Sequence, residues 1–329
     1  MKIIVIGLGS MGRRRIRLLQ QYDASLEIIG VDTSNIRAEE AEQELGIVCT
    51  ASIEKALEQE GIDCAFVCTS PLSHYKIAKT LLEYNLNVFT EINLVADGYQ
   101  ELINLSIQHK RVLFLSSTFL YRKDIQYMIR RSENERVNYI YHTGQFLPDW
   151  HPWENYKDFF VSEKRTNGCR EIMAIEFPWL IQCFGRIKNI HVIKDNMSSL
   201  ELNYYDNYLL SIEHENGNKG IIGVDVVSRL ARRTLEIYGE HVQLFWDGAP
   251  DSLREYDIET KTSNPVKTYD NITKDTRYCD NIIENAYMDE IASFLYQVRS
   301  GMNDKTLYSF EQDTETLRWI DKVENEVLK

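Results

Sequence analysis

Short β-branched runs and helical spacings alternate along the first part of the chain. Lys2-Ile-Ile-Val-Ile6 is a strand-like run that ends at Gly7, and apolar positions then follow a helical period over residues 11–21. Residues 26–31 read as a second strand, and residues 36–45 as a helix stopped by Gly46. Residues 47–48 form a brief strand, and Ser52 caps a helix over 53–59. Cys64-Ala-Phe-Val-Cys68 is apolar throughout, as a strand covered on both faces is. A helix over 73–83, a strand over 87–90, a helix over 98–109 and a strand over 112–115 complete the series. Such alternation predicts a parallel, doubly wound sheet with right-handed crossovers.

From about residue 136 the pattern changes. Residues 137–146 read as a strand and 172–184 as a helix. Alternating runs follow at 190–193, 200–204, 208–214, 220–227, 233–238 and 242–246. Turn residues such as Glu215-Asn-Gly-Asn218 and Asp247-Gly-Ala-Pro250 separate them. The expected second domain is α+β, with an open, mainly antiparallel sheet and a helix on one face. Two terminal helices are expected near 286–299 and 310–326. The domain expectation is an NAD(P)-binding domain over 1–118 and a substrate-binding and oligomerisation domain over 119–329.

Composition narrows the function classes. The 329 residues include 37 Lys and Arg against 50 Asp and Glu, a formal charge of -13. That balance argues against a nucleic-acid binder, which needs clustered cations. No apolar run approaches the roughly 18 residues of a membrane span. The apolar stretch Ile3 to Ile6 is too short for a signal peptide and leads straight into a glycine motif, so a cytoplasmic protein is expected. Cys49, Cys64, Cys68, Cys169, Cys183 and Cys279 form no Cys-x-x-Cys pair and show no zinc-ligand spacing; structural thiols and no metal are expected.

The clearest chemical signal is Gly7-Leu8-Gly9-Ser10-Met11-Gly12, a G-x-G-x-x-G motif that follows a strand and opens a helix. Gly7 permits the tight turn, Gly9 lets the backbone approach a pyrophosphate, and Gly12 allows close helix–strand packing. Asp32 ends the second strand about 20 residues on, where an acid hydrogen-bonds a ribose 2′-OH. An acid there favours NAD over NADP, although Arg37 nearby keeps NADP open. Arg13, Arg14, Arg15 and Arg17 follow the motif and read mostly as a solvated helix face, with Arg13 in reach of a pyrophosphate.

Several motifs together resemble the glucose-fructose oxidoreductase/inositol dehydrogenase (Gfo/Idh/MocA) family. They are the glycine loop, Cys68-Thr-Ser-Pro71 followed by His74, Asn87-Val-Phe-Thr-Glu91, Phe119-Leu-Tyr-Arg122 and the stretch from Tyr287 to Gly301. The resemblance implies NAD or NADP as cofactor and hydride transfer to or from a sugar, nucleotide sugar, polyol or related carbonyl. It also implies a homodimer or homotetramer built on the second domain's sheet. Thr69, Ser70 and Pro71 would line the nicotinamide side, with His74 at the start of the helix beneath it. Glu91 would lie at the nicotinamide ribose, and Thr118 where many members have an asparagine.

Two departures set this chain apart. Glu91-Ile92-Asn93 stands where the family has Glu-Lys-Pro, so the proton-handling lysine is an isoleucine. The family's substrate-domain helix usually carries an Asp and a His; here Ile172 and Ile175 align with them, and Glu176 follows. Acid–base work therefore has to come from another side chain or from solvent. Pro148-Asp-Trp-His-Pro-Trp-Glu-Asn-Tyr156 concentrates candidates in nine residues. His151 and Tyr156 are the candidate proton carriers, with Glu176 a third, and Trp150 and Trp153 can stack on sugar faces. The same residues also suit an aromatic loop packed on its own domain. Lys164, Arg165 and Arg170 can bind a carboxylate or diphosphate, while Arg170, Glu171 and Glu176 also suit a helix that exposes its polar stripe. Two readings follow: an oxidoreductase with a rearranged acid–base set, or a catalytically silent NAD(H)-binding relative acting as sensor or partner subunit.

Overall fold

The computed structural model describes residues 1–151, 154–275, 282–301 and 306–326. The chain forms two compact units, one of Met1–Thr118 with Tyr287–Thr314, the other of Phe119–Ala286 with Glu315–Lys329. Residues 287–314, within the span expected for the second domain, thus fall in the first unit. The reason lies in the aromatic core. Phe294 meets Phe66, Phe89 and Phe114 edge-on at 5.2, 5.5 and 5.6 Å, and Phe310 meets Tyr99 at 4.7 Å. Sheet surface of this size buries whichever apolar helix fits it, at any distance along the chain.

The first unit holds a six-stranded parallel sheet in the order β3-β2-β1-β4-β5-β6. Its strands are β1 Lys2–Ile6, β2 Glu27–Val31, β3 Val48–Thr50, β4 Ile62–Val67, β5 Asn87–Thr90 and β6 Leu113–Leu115. The helices between them are α1 Ser10–Tyr22, α2 Asn35–Leu45, α3 Ile53–Leu57, α4 Pro71–Glu83 and α5 Tyr99–His109. Local signals set their ends. Gly46 takes φ +65° and closes α2, and the Ser52 side chain accepts from the Lys55 backbone N–H to open α3. Strand order reverses beside β1, where open α/β sheets bind ligands at the carboxyl ends of their strands.

The second unit begins with α6 Lys123–Ser132, which the apolar pattern did not predict. Its eight-stranded sheet has the order β14-β13-β12-β11-β7-β10-β9-β8. The strands are β7 Val137–Gly144, β8 Ile187–Asp195, β9 Asn207–His214, β10 Lys219–Asp225, β11 Arg232–Gly239, β12 Gln243–Trp246, β13 Arg254–Asp257 and β14 Thr262–Pro265. β7 and β10 run parallel and the other pairs antiparallel, so the sheet is mixed but mainly antiparallel. The strand expected over 200–204 is absent. The Asp206 carboxylate accepts from the Met197 and Ser198 backbone N–H groups at 3.0 and 2.9 Å and folds that stretch into a loop instead.

Helix α7 (Gly168–Phe184) covers one face of this sheet and starts earlier than expected, with Pro178 inside it. Burial on most sides supplies the stability that an interior proline removes. Tyr139 of β7 stacks on Phe184 at 3.8 Å, and Tyr141 meets Trp179 at 5.6 Å. The alternate residues Ile140, Ile193, Leu209 and Ile221 are exposed on the opposite face. Helix α8 spans Glu284–Ser300 and α9 spans Phe310–Asn325. No helix among the described residues is long and apolar enough to cross a membrane.

Candidate functional site

The glycine loop divides its three glycines between two tasks. Gly7 takes φ +90°, and a Cβ added there would lie 2.7 Å from the Cys68 carbonyl oxygen. A Cβ on Gly12 would lie 1.8 Å from the Gly7 oxygen. Both positions are closed by packing. A Cβ on Gly9 would meet nothing within 4 Å, and no side chain caps the N-terminus of α1 there. Ser10 and Met11, in the first turn, are half-buried. The outer side of this turn is open to a group that accepts backbone N–H bonds at a positive helix end.

Asp32 is buried beside the loop. Its Oδ2 accepts from the Leu8 backbone N–H at 2.8 Å and its Oδ1 from that of Ser34 at 2.9 Å. Two fixed donors orient the carboxylate and leave each oxygen capacity for a further hydroxyl donor. Arg37 is exposed on α2. The arginine run is not a solvated face. Arg13 donates Nε–H to the Leu8 carbonyl at 3.0 Å and pairs with Glu40 and Glu44, while Arg14 and Arg15 are buried.

Arg15 anchors the end of β5. Its Nε and Nη2 reach the two oxygens of Glu91 at 2.6 and 3.2 Å, and Nη2 also reaches Glu290 Oε2 at 2.7 Å. Its guanidinium lies 4.6 Å over the Phe89 ring. Glu290 further accepts from the Ser117 backbone N–H at 2.8 Å and from the Thr118 hydroxyl at 3.0 Å. Burial raises the Glu290 carboxyl above its ordinary range despite these partners. Glu91, expected at the nicotinamide ribose, is thus held as one arm of a buried ion-pair cluster.

His74 joins two loops at the same end of the sheet. Its Nε2 lies 2.8 Å from the Thr69 carbonyl oxygen and its Nδ1 lies 2.6 Å from the Asn93 side chain. Burial lowers its pKa below that of an ordinary histidine. Thr69 is half-buried, Ser70 exposed, and Pro71 occupies the first turn of α4, where its missing N–H costs nothing. Asn93 therefore replaces the family's proline with a side chain that ties the loop after β5 to the loop after β4. Replacing Asn93 with alanine leaves a buried ring nitrogen unpaired and is expected to cost about 1–3 kcal/mol, measured by denaturant unfolding.

In the second unit the residues expected at a site fall into different roles. The guanidinium of Arg170, expected at the substrate, pairs with Asp321 at 2.7 Å and Glu324 at 2.5 Å, fastening α7 to α9. Glu176, a candidate proton carrier, is likewise engaged inside its unit. Its oxygens accept from the Tyr141 hydroxyl, Trp179 Nε1 and Arg233 Nε at 2.8, 2.8 and 2.9 Å, which pins α7 to the sheet. His151 Nδ1 lies 2.6 Å from Glu154 Oε1, and its ring is 4.3 Å from Phe159. Trp150 donates to the Gln145 carbonyl at 3.1 Å. Tyr156 is half-buried, and Lys164 and Arg165 are exposed. Trp153 lies outside the described residues.

Two features here escaped the sequence. His142 and Asp225 form a pair at 2.7 Å, brought together by the parallel register of β7 and β10 and by Gly144, where a Cβ would lie 2.5 Å from the Asp225 carboxylate. Burial raises the Asp225 pKa, but bonds from His142, Val227 and Ser228 outweigh it and hold the carboxyl below its ordinary range. The second is Glu171, in the first turn of α7. Its Oε2 is out of solvent and has no hydrogen-bond partner among the described residues, and burial pushes its pKa up to about 7. An acid whose folded pKa is raised favours the fold fully below its ordinary pKa, and that contribution fades as pH rises through the folded value. Glu171→Gln is therefore expected to raise the unfolding midpoint above pH 7, with the gain shrinking toward acid pH.

Comparison with known proteins fits this geometry. Residues 1–116 match the family model described as Gfo/Idh/MocA oxidoreductase family, NAD-binding Rossmann fold. The match lies within the Met1–Thr118 segment of the first unit. Mouse biliverdin reductase A is 24% identical over 225 residues, which is 66% of this chain and 68% of that protein. The fold of the whole chain resembles that of UDP-N-acetylglucosamine 3-dehydrogenase GnnA from Acidithiobacillus ferrooxidans, with a TM-score of 0.77 at 16% identity over 98% of this chain and 96% of that one. It also resembles levoglucosan dehydrogenase in complex with NADH and levoglucosan, with a TM-score of 0.78 at 13% identity and the same coverage.

Proposed function

We propose that this protein is an NAD-dependent oxidoreductase that transfers a hydride to or from a sugar, nucleotide sugar or polyol. The observation that carries the proposal is the open turn at Gly9 beside an Asp32 carboxylate fixed by two backbone donors. Asp32 accepts a ribose 2′-OH and repels a 2′-phosphate, which favours NAD over NADP. Dehydrogenases that act on a nucleotide sugar and on levoglucosan share the fold at full length and support the substrate class. Trp150 and Trp153 offer sugar-stacking faces, Lys164 and Arg165 offer charges for a diphosphate, and His151 and Tyr156 are proton carriers. The exposed apolar residues Ile140, Ile193, Leu209 and Ile221 on the sheet's open face suit a homodimer or homotetramer.

Ile92 favours a second reading, a silent relative that binds NAD(H) and a sugar ligand as sensor or partner subunit. Turnover separates the two. The purified protein is supplied with NAD+ and levoglucosan, UDP-N-acetylglucosamine or a polyol, and with NADH and biliverdin, while reduced nicotinamide is followed by absorbance. The oxidoreductase reading expects a sustained change with a sugar-class substrate that weakens in His151→Ala or Tyr156→Phe. Tight NADH binding without turnover of any of these would support the silent reading.

A further inference from the structure

We propose that His74 is a positioning residue for the cofactor: its Nε2–H holds the Thr69 carbonyl, and with it the loop after β4, in the shape that receives the dinucleotide at the glycine loop. The inference deepens the cofactor part of the reading above and rests on it. Every residue it uses lies in the first unit. Strand order reverses between β1 and β4, so the loops that leave these two strands bound the crevice where open α/β sheets take their ligands. The two loops touch. A Cβ on Gly7 would lie 2.7 Å from the Cys68 carbonyl oxygen and 2.9 Å from Thr69 Cγ2. A shift of Thr69 therefore alters the wall against which the Gly7 turn is formed.

Chemistry fixes the protonation of the ring. A backbone carbonyl only accepts, so the nitrogen 2.8 Å from the Thr69 oxygen must carry a proton, and neutral His74 is the Nε2–H tautomer. Burial lowers its pKa despite the bonds to Thr69 and Asn93 and the nearby Glu91 carboxylate. Nδ1 faces the Asn93 carboxamide at 2.6 Å. The Asn93 side chain is also hydrogen-bonded to the Tyr99 hydroxyl, which donates to Asp313, and Tyr308 donates to the other oxygen of Asp313 at 2.8 Å. The ring is thereby braced from α5 and from residues 308–313.

His74 is only 3% exposed. The cavity of about 10 Å³ beside His74, Asn93 and Tyr99 admits at most one water. The ring is thus closed to a cofactor and acts on one through Thr69. Other bonds of the loop are local: the Ser73 hydroxyl donates to the Ser70 carbonyl at 2.7 Å and lies 2.7 Å from the Thr69 hydroxyl. The His74 bond instead refers the loop to α5 and to residues 308–313.

The test compares wild type, His74→Gln and His74→Asn by NADH fluorescence titration and denaturant unfolding. A glutamine amide reaches the position of Nε2–H and can donate to Thr69, whereas an asparagine amide stops at the position of Nδ1. Both variants lose the packing of the ring, so both should unfold at lower denaturant than wild type. Binding should separate them. His74→Gln is expected to keep NADH affinity within about threefold of wild type and His74→Asn to lose about tenfold, the size of one buried hydrogen bond. His74→Asn binding as tightly as wild type overturns the proposal and leaves the cofactor reading standing. So does an equal loss in both variants, which would assign the effect to the packing of the ring rather than to its donor. Nitrogen-15 NMR of the wild-type imidazole gives a check that needs no variant: Nε2 is expected to carry the proton and to shift when NADH is added. A neutral ring protonated on Nδ1 overturns the proposal as well. Wild type that binds no NADH overturns both readings.

Discussion

Alanine at position 12 is expected to abolish detectable NADH binding, a loss of about 100-fold or more, or about 2.7 kcal/mol. The added Cβ would lie 1.8 Å from the Gly7 carbonyl oxygen, which is backbone and cannot rotate away. Either α1 or the turn must shift, and overpacking of this kind also costs about 1–3 kcal/mol of stability. Gly9→Ala supplies the contrast. Its Cβ meets no protein atom, so the unfolding midpoint should stay at the wild-type value while NADH binding weakens. Equal loss of binding and stability in both variants would show that Gly9 serves only the fold.

Replacing Arg15 with alanine is expected to destabilise the first domain by about 3–5 kcal/mol in denaturant unfolding, because it strands two buried carboxylates. Glu91 and Glu290 both depend on this guanidinium, and Glu290 is already raised by burial. Lysine at this position should recover little, since one ammonium cannot reproduce the fork that spans both oxygens of Glu91 and one of Glu290. A loss below about 1 kcal/mol would show that the pair is solvated in solution. Because Glu91 directly follows β5 at the carboxyl end of the strand, the variant should also weaken NADH binding.

What the sequence disclosed was local. The glycine loop, the stop at Gly46 and the cap at Ser52 depend on turn and helix-end chemistry within a few residues, and the structure has each of them. The apolar run from Cys64 to Val67 is buried, as an unbroken run implies. What stayed hidden was set by distant partners. Arg15 looks like a surface residue until Glu91, 76 positions on, and Glu290, 275 positions on, are brought to it. Glu176 reads as a carboxyl without assigned partners until β7 and β11 supply Tyr141 and Arg233. The hairpin of β13 and β14 escaped notice because Thr262–Pro265 is exposed throughout and has no apolar period.

The tripeptide Glu91-Ile92-Asn93 gains a physical reading from these contacts. Glu91 is tied to Arg15 and Asn93 to His74, so both flanking residues are fixed. Ile92 alone offers neither charge nor hydrogen bond. The end of β5 is thus held as structure on both sides of the isoleucine.

Equilibrium titration of the full chain with NADH and with NADPH, followed by nicotinamide fluorescence, tests the cofactor assignment on which every further step depends. The account predicts saturable binding of one NADH per chain, weaker binding of NADPH because of Asp32, and no saturation in Gly12→Ala. Absence of saturable binding for either dinucleotide by the wild-type protein would contradict it.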